Sequence, residues 1–126
     1  KCVLWVSTSA VDTDFTAKLL DVEPDGIAAN LADGIVRLSR AFPNDPVGPD
    51  TVQKVEIDLW DLGHTFLPGH QMRLEVASAN FPRFDRNLNV TSDAGFRSLD
   101  DAVVATQTVC HDGDRPSRLV LSVATD

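Results

Sequence analysis

The sequence predicts an all-β domain, a sandwich or barrel of about seven or eight short strands. Two observations carry this prediction. Apolar residues recur with a period of two, and Gly/Pro turns cut the chain at short intervals. Val55, Ile57 and Leu59 alternate with Glu56, Asp58 and Trp60, and Met72, Leu74 and Val76 with Arg73, Glu75 and Ala77. Leu119, Leu121 and Val123 alternate likewise with Val120, Ser122 and Ala124. A strand reads this way when one face meets a core and the other meets water.

Taken in order, residues 3–7 form the first strand. Residues 11–20 admit a helix capped by Asp12 or Thr13, but their β-branched and aromatic content favours a strand over 15–22. Glu23-Pro24-Asp25-Gly26 presets φ at Pro24 and offers positive φ at Gly26, so the chain reverses there. Residues 27–31 are ambiguous, and 34–42 read as a strand. The run from Pro43 to Pro49 is a loop, since three prolines exclude a helix or a central strand. The alternating runs around 55–59 and 72–77 follow, divided by the turn Leu67-Pro68-Gly69-His70. The stretch from Asn80 to Phe96 has no period of two and is rich in Phe, Asn and Asp, which marks a long ordered loop with a function or a cover. Strands over 103–110 and 119–123 close the domain around the turn His111-Asp112-Gly113-Asp114.

The chain has 126 residues, 43% hydrophobic and 24% charged, which suits one globular domain over residues 1–126. Its net charge of −8 and scattered basic residues argue against nucleic acid or an anionic membrane as partner. No apolar run approaches the roughly 20 residues of a membrane span. The opening Lys1-Cys2-Val3-Leu4-Trp5-Val6 is a strand rather than a signal peptide, and with no initiator Met it agrees with a domain belonging to a longer chain. Cys2 and Cys110 read as free buried thiols, which favours the cytoplasm of a bacterium or other microbe over secretion. A disulfide between them remains open.

Catalytic patterns are missing. No Gly-x-Ser-x-Gly occurs, the glycines are too dispersed to cradle phosphate, and Cys110 and His111 fall on opposite faces of a strand. His64 and His70 flank one turn and can approach each other. Asp12-x-Asp14 and Asp100-Asp101 resemble calcium-binding oxygen clusters, though solvated turns use the same residues. No cofactor is expected. The sequon Asn89-Val90-Thr91 matters only in a secreted eukaryotic chain. Trp5 and Trp60 sit in apolar strand settings, which favours core roles over a sugar-stacking platform.

Several runs resemble the C-terminal domain of the cocaine esterase and X-Pro dipeptidyl-peptidase family. They are Leu4-Trp5-Val6-Ser7-Thr8-Ser9-Ala10-Val11-Asp12-Thr13-Asp14-Phe15, Phe66-Leu67-Pro68-Gly69-His70-Gln71-Met72-Arg73-Leu74 and Ser78-Ala79-Asn80-Phe81-Pro82-Arg83-Phe84-Asp85-Arg86-Asn87. Pro116-Ser117-Arg118-Leu119-Val120-Leu121 is similar to the family's closing strand. The resemblance implies a jelly-roll β-sandwich of the galactose-binding-like type, appended to an upstream α/β-hydrolase domain that supplies Ser, Asp and His. This chain alone is then not an enzyme. The parent serine hydrolase would cleave esters or Xaa-Pro amides, and this domain would support its stability, domain docking and cleft shape. The docking residues on this reading are Asn80, Phe81, Pro82, Arg83, Phe84 and Arg86, with His70 in the turn 64–70. The alternative arrangement folds the loop back over its own sandwich. The alternative function is a stand-alone carbohydrate-binding module, and self-association is left open.

Overall fold

The first strand, β1 (Cys2–Thr8), is buried on both faces and lies at the centre of its sheet. The computed structural model describes residues 1–44, 48–91 and 98–124; the predicted loop tip at 45–47 and the Ser92–Phe96 end of the irregular stretch lie outside the described residues. On one side β1 pairs antiparallel with β4 (Gln53–Ile57), Cys2 opposite Ile57. Its other side is shared end to end by two strands. β6 (Gln107–Cys110) pairs with Trp5–Thr8, and β7 (Arg118–Leu119) with Cys2 and Val3.

The second sheet is centred on β2 (Asp14–Val22), flanked antiparallel by β3 (Ala28–Arg37) and β5 (Gln71–Ala77). Phe15, Ala17 and Leu19 of β2 pack on Leu4, Val6, Val55, Ile57 and Leu59 of the facing layer. The described residues thus hold seven strands in two antiparallel sheets, the predicted β-sandwich. β3 lies close against the chain just past β4 at Gly34, where a Cβ would stand 2.0 Å from the Asp58 carbonyl oxygen. Only glycine fits that contact.

The departures from the predicted strands have local causes. Residues 11–20 contribute a strand, not a helix, and the ambiguous 27–31 region joins β3. The strand expected over 34–42 stops at Arg37, and a single helical turn, α1 (Leu38–Ala41), follows. The Asp12 carboxylate accepts the Ser39 N–H and the Ser39 hydroxyl, each at 2.9 Å, and bends the chain there. At the other end of the sequence, β7 is two residues long, and backbone bonding continues one residue further, where the Val120 N–H donates to the Lys1 carbonyl at 2.8 Å. Leu121 and Val123, expected on a buried face, are 45% and 82% exposed. Val103 and Val104 are exposed as well, ahead of β6, whose first residue Gln107 faces Thr8.

Candidate domain-docking site

Beyond Ala77 the chain doubles back across the outer face of the second sheet, held there by side-chain amides and charges. Asn80 Nδ2 donates to Asp33 Oδ2 at 3.1 Å, and Arg83 Nε stands 3.6 Å from the same oxygen. Asp85 lies 3.5 Å from Arg37, and Asn87 Nδ2 donates to Asp14 Oδ1 at 2.8 Å and to Asp12 Oδ2 at 3.2 Å. Asn89, in the left-handed region at φ 61°, accepts from Thr13 Oγ1 and donates to the Val103 carbonyl. These ties explain the density of Asn and Asp in the stretch: each one stands in for a ladder bond that an irregular segment lacks.

Pinned from below, the loop turns Phe81, Pro82, Arg83 and Arg86 outward, while Asn80 and Phe84 are half-buried. The Phe81–Pro82 peptide is cis. Phe81 is 58% exposed, and the Arg86 guanidinium covers its ring at 4.2 Å from the centroid, a cation–π contact. Arg83 leans over Phe84 and takes its carboxylate partner, Asp33, from this chain.

The anchor beneath the loop is a buried polar cluster. Asp14 is 1% exposed and receives Arg37 as a two-pronged fork, Nε at 2.7 Å and a terminal nitrogen at 2.9 Å. That fork is the strongest geometry open to a carboxylate and a guanidinium. The bond to Asp14 drives the Arg37 pKa further above its already high value. All four oxygens of Asp12 and Asp14 are taken by Ser39, Asn87 and Arg37, so the Asp12-x-Asp14 pair holds an internal cation and leaves no ligand free for calcium. Asp100 and Asp101 serve instead in a 3-10 turn (Leu99–Asp101) capped by Ser98. Among the described residues, no group of three or more His, Cys, Asp or Glu is placed to hold a metal.

The turn 64–70 lies elsewhere. β5 runs from Gln71, opposite Val22, to Ala77, opposite Thr16, and so sets His70 and the loop at opposite ends of the sheet. The loop and the turn therefore lie apart on the domain. His64 and His70 do converge, on one carboxylate: Nε2 of His64 is 2.8 Å and Nδ1 of His70 2.9 Å from the two oxygens of Asp21. Because a carboxylate only accepts, the proton sits on Nε2 of His64 and on Nδ1 of His70. Burial raises the Asp21 carboxyl, but the hydrogen bonds from both imidazoles and their charge outweigh this and hold it below the usual range.

Trp60 departs from its expected core role and stands 75% exposed, whereas Trp5 is half-buried on the outer face of its sheet. Trp60 sits over a groove of about 360 Å³ at the open end of the sandwich. The strand setting expected for it ends at Ile57, three residues earlier, and its own backbone is left-handed at φ 63°. The sequon asparagine is occupied by its two hydrogen bonds. Cys110 pairs with Trp5, and alternation along β1 puts Trp5 and Cys2 on opposite faces, so the two buried thiols do not meet. Burial pushes the Cys2 thiol pKa up and makes it a poor nucleophile. His111 is exposed while Cys110 is buried, which separates that pair as well.

With this geometry in view, comparison with known proteins is consistent across sequence and structure. Residues 1–120 match the X-Pro dipeptidyl-peptidase C-terminal non-catalytic domain family. Cocaine esterase from Rhodococcus sp. (strain MB1 Bresler) is 41% identical over 125 residues, which cover 95% of this chain and 21% of that protein. An aminopeptidase from the marine sediment archaeon Thaumarchaeota archaeon superposes with a TM-score of 0.81 at 32% identity, over 92% of this chain and 21% of its own. An alpha-amino acid ester hydrolase gives 0.69 at 26% identity, over 93% and 22%. The chain thus spans about a fifth of the length of these relatives. It belongs to the X-Pro dipeptidyl-peptidase C-terminal non-catalytic domain family, the accessory C-terminal domain of X-Pro dipeptidyl-peptidase and cocaine esterase-type hydrolases.

Proposed function

We propose that this domain docks onto an upstream α/β-hydrolase domain of the same parent chain, stabilises it and shapes its cleft, and that the parent cleaves ester or Xaa-Pro amide bonds. The carrying observation is the loop itself. It is fixed to its own sandwich by Asn80, Asp85, Asn87 and Asn89, yet it presents Phe81 and Arg86 outward as a rigid aromatic–cation pair. A loop pinned over its own sheet and a loop used for docking are here compatible: the polar side is tied down and the apolar side is free. Such pre-organisation lowers the entropy lost on contact. Two buried, separated thiols are in keeping with a cytoplasmic setting.

Phe81→Ala and Arg83→Ala in the full-length enzyme test the reading. The Arg83–Asp33 pair is exposed, so losing it inside the domain costs only about 0–1 kcal/mol. A larger fall in melting temperature, with a changed KM for an aryl ester or an Xaa-Pro anilide, is expected; unchanged activity and stability refute docking through this loop. An upstream reading frame with Gly-x-Ser-x-Gly followed by Asp and His is the matching genetic expectation. The exposed indole of Trp60 favours a second reading, a carbohydrate-binding module, which saturable quenching of Trp60 by a sugar would support.

A further inference from the structure

The open end of the sandwich is apolar to its floor. Leu19 and Leu59, both core residues, form the bottom of the groove, and Leu62, Phe66, Met72, Leu121 and Val123 form its walls. Leu121 and Val123 carry the alternation of a half-buried strand with nothing against them. Trp60, at the rim, has φ 63°, a left-handed backbone that a bulky L-residue rarely adopts. Asp58 holds it there by accepting the Trp60 N–H at 2.8 Å. Backbone strain is thus maintained at the one place where it lifts an indole into solvent.

We propose that this mouth is a second docking face, seated on the hydrolase part of the longer chain by a surface apolar at its centre and basic at its rim; the proposal rests on the accessory-domain reading above. Connectivity favours that occupant. Lys1 lines the groove, and its backbone nitrogen donates to the Val120 carbonyl at 3.0 Å, so polypeptide joined ahead of Lys1 enters at this rim. Relatives extend to about five times this length. Charge favours it too. Lys1 Nζ is committed to Glu56 at 2.8 Å, which leaves Asp61 on the rim with no ion pair among the described residues. A second copy would bring a second acidic rim in a chain of net charge −8.

The test uses the full-length enzyme. Hydroxyl-radical footprinting should show Trp60 and Met72 oxidising about tenfold more slowly than in an unfolded peptide of the same sequence, because a packed interface core excludes water. A benzophenone cross-linker replacing Trp60 should couple to the hydrolase part of the same chain. Peptide-like oxidation at both residues, protection that vanishes on dilution, or cross-links joining two copies would each overturn the proposal. Protection of Phe81 with Trp60 left open would sink this inference and leave the loop reading standing. A parent without a nucleophile motif would remove both.

Discussion

Replacing Arg37 by Met should loosen the domain from the inside and free the docking loop at the same time. The variant keeps the aliphatic stem but removes the fork on Asp14, whose carboxylate is 1% exposed. Asn87 at 2.8 Å is then its remaining side-chain donor. Stranding one charge of a buried pair costs roughly 3–5 kcal/mol. The Arg37 side chain is 30% exposed, so water already screens part of the interaction and about 2–3 kcal/mol is the reasonable loss. For a domain of this size that corresponds to a fall in melting temperature of roughly 8–12 °C. Urea denaturation supplies the free energy directly. Trypsin supplies the local readout, since Arg83 and Arg86 lie in the loop that Asp14 and Asn87 anchor, and cleavage there should accelerate. In a double-mutant cycle, Asp14→Asn with Arg37→Met should cost clearly less than the sum of the single changes. A loss under about 0.5 kcal/mol for Arg37→Met, or unchanged cleavage, would refute the view that this pair holds the loop.

Gly34→Ala forces a Cβ into the Asp58 carbonyl and should destabilise by about 3 kcal/mol, the upper end for overpacking, measured by chemical denaturation. Asn89→Ala removes a donor and an acceptor together and should cost about 1–3 kcal/mol by the same assay. Asp21 has its pKa lowered in the fold, so its contribution is present above the unfolded value near about 3.9 and is lost as pH falls through the folded value. The stability gap between the protein and Asp21→Asn should therefore close as pH is lowered from about 5 to 2; a gap that widens there contradicts the assignment. Millimolar calcium or a chelator should leave the melting temperature unchanged, because Ser39, Asn87 and Arg37 already occupy the Asp12 and Asp14 oxygens.

Strands were legible wherever one face met the core, because burial then imposes a period of two: Val55, Ile57 and Leu59 are buried as the alternation requires. Alternation fails outside the paired strands, as at Leu121 and Val104, since a sequence shows a strand's preference but not where its pairing ends. The loop was legible as an exception to the period, together with Phe81 and Arg83. Its anchors were not, because Arg37, Asp14 and Asn87 are far apart in sequence and only the sheet register brings them together. His64 and His70 could be paired from their common turn, but the carboxylate between them comes from β2. Trp60 misled because its residue type pointed inward, while β4 ends at Ile57 and a left-handed backbone at Trp60 turns the indole out.

The end-to-end sharing of β1 by β6 and β7 has a consequence for synthesis on the ribosome. β1 emerges first of this domain's strands, yet one of its two edges is filled only by residues near positions 107–110 and 118–119. Closing loops of about that length is entropically expensive and slows folding. Until Arg118 and Leu119 leave the exit tunnel, the most apolar strand of the domain waits with one edge incompletely paired. Nascent chains of this domain should accordingly depend on chaperones longer than their size suggests, and truncations that remove Arg118 and Leu119 should aggregate rather than merely lose activity.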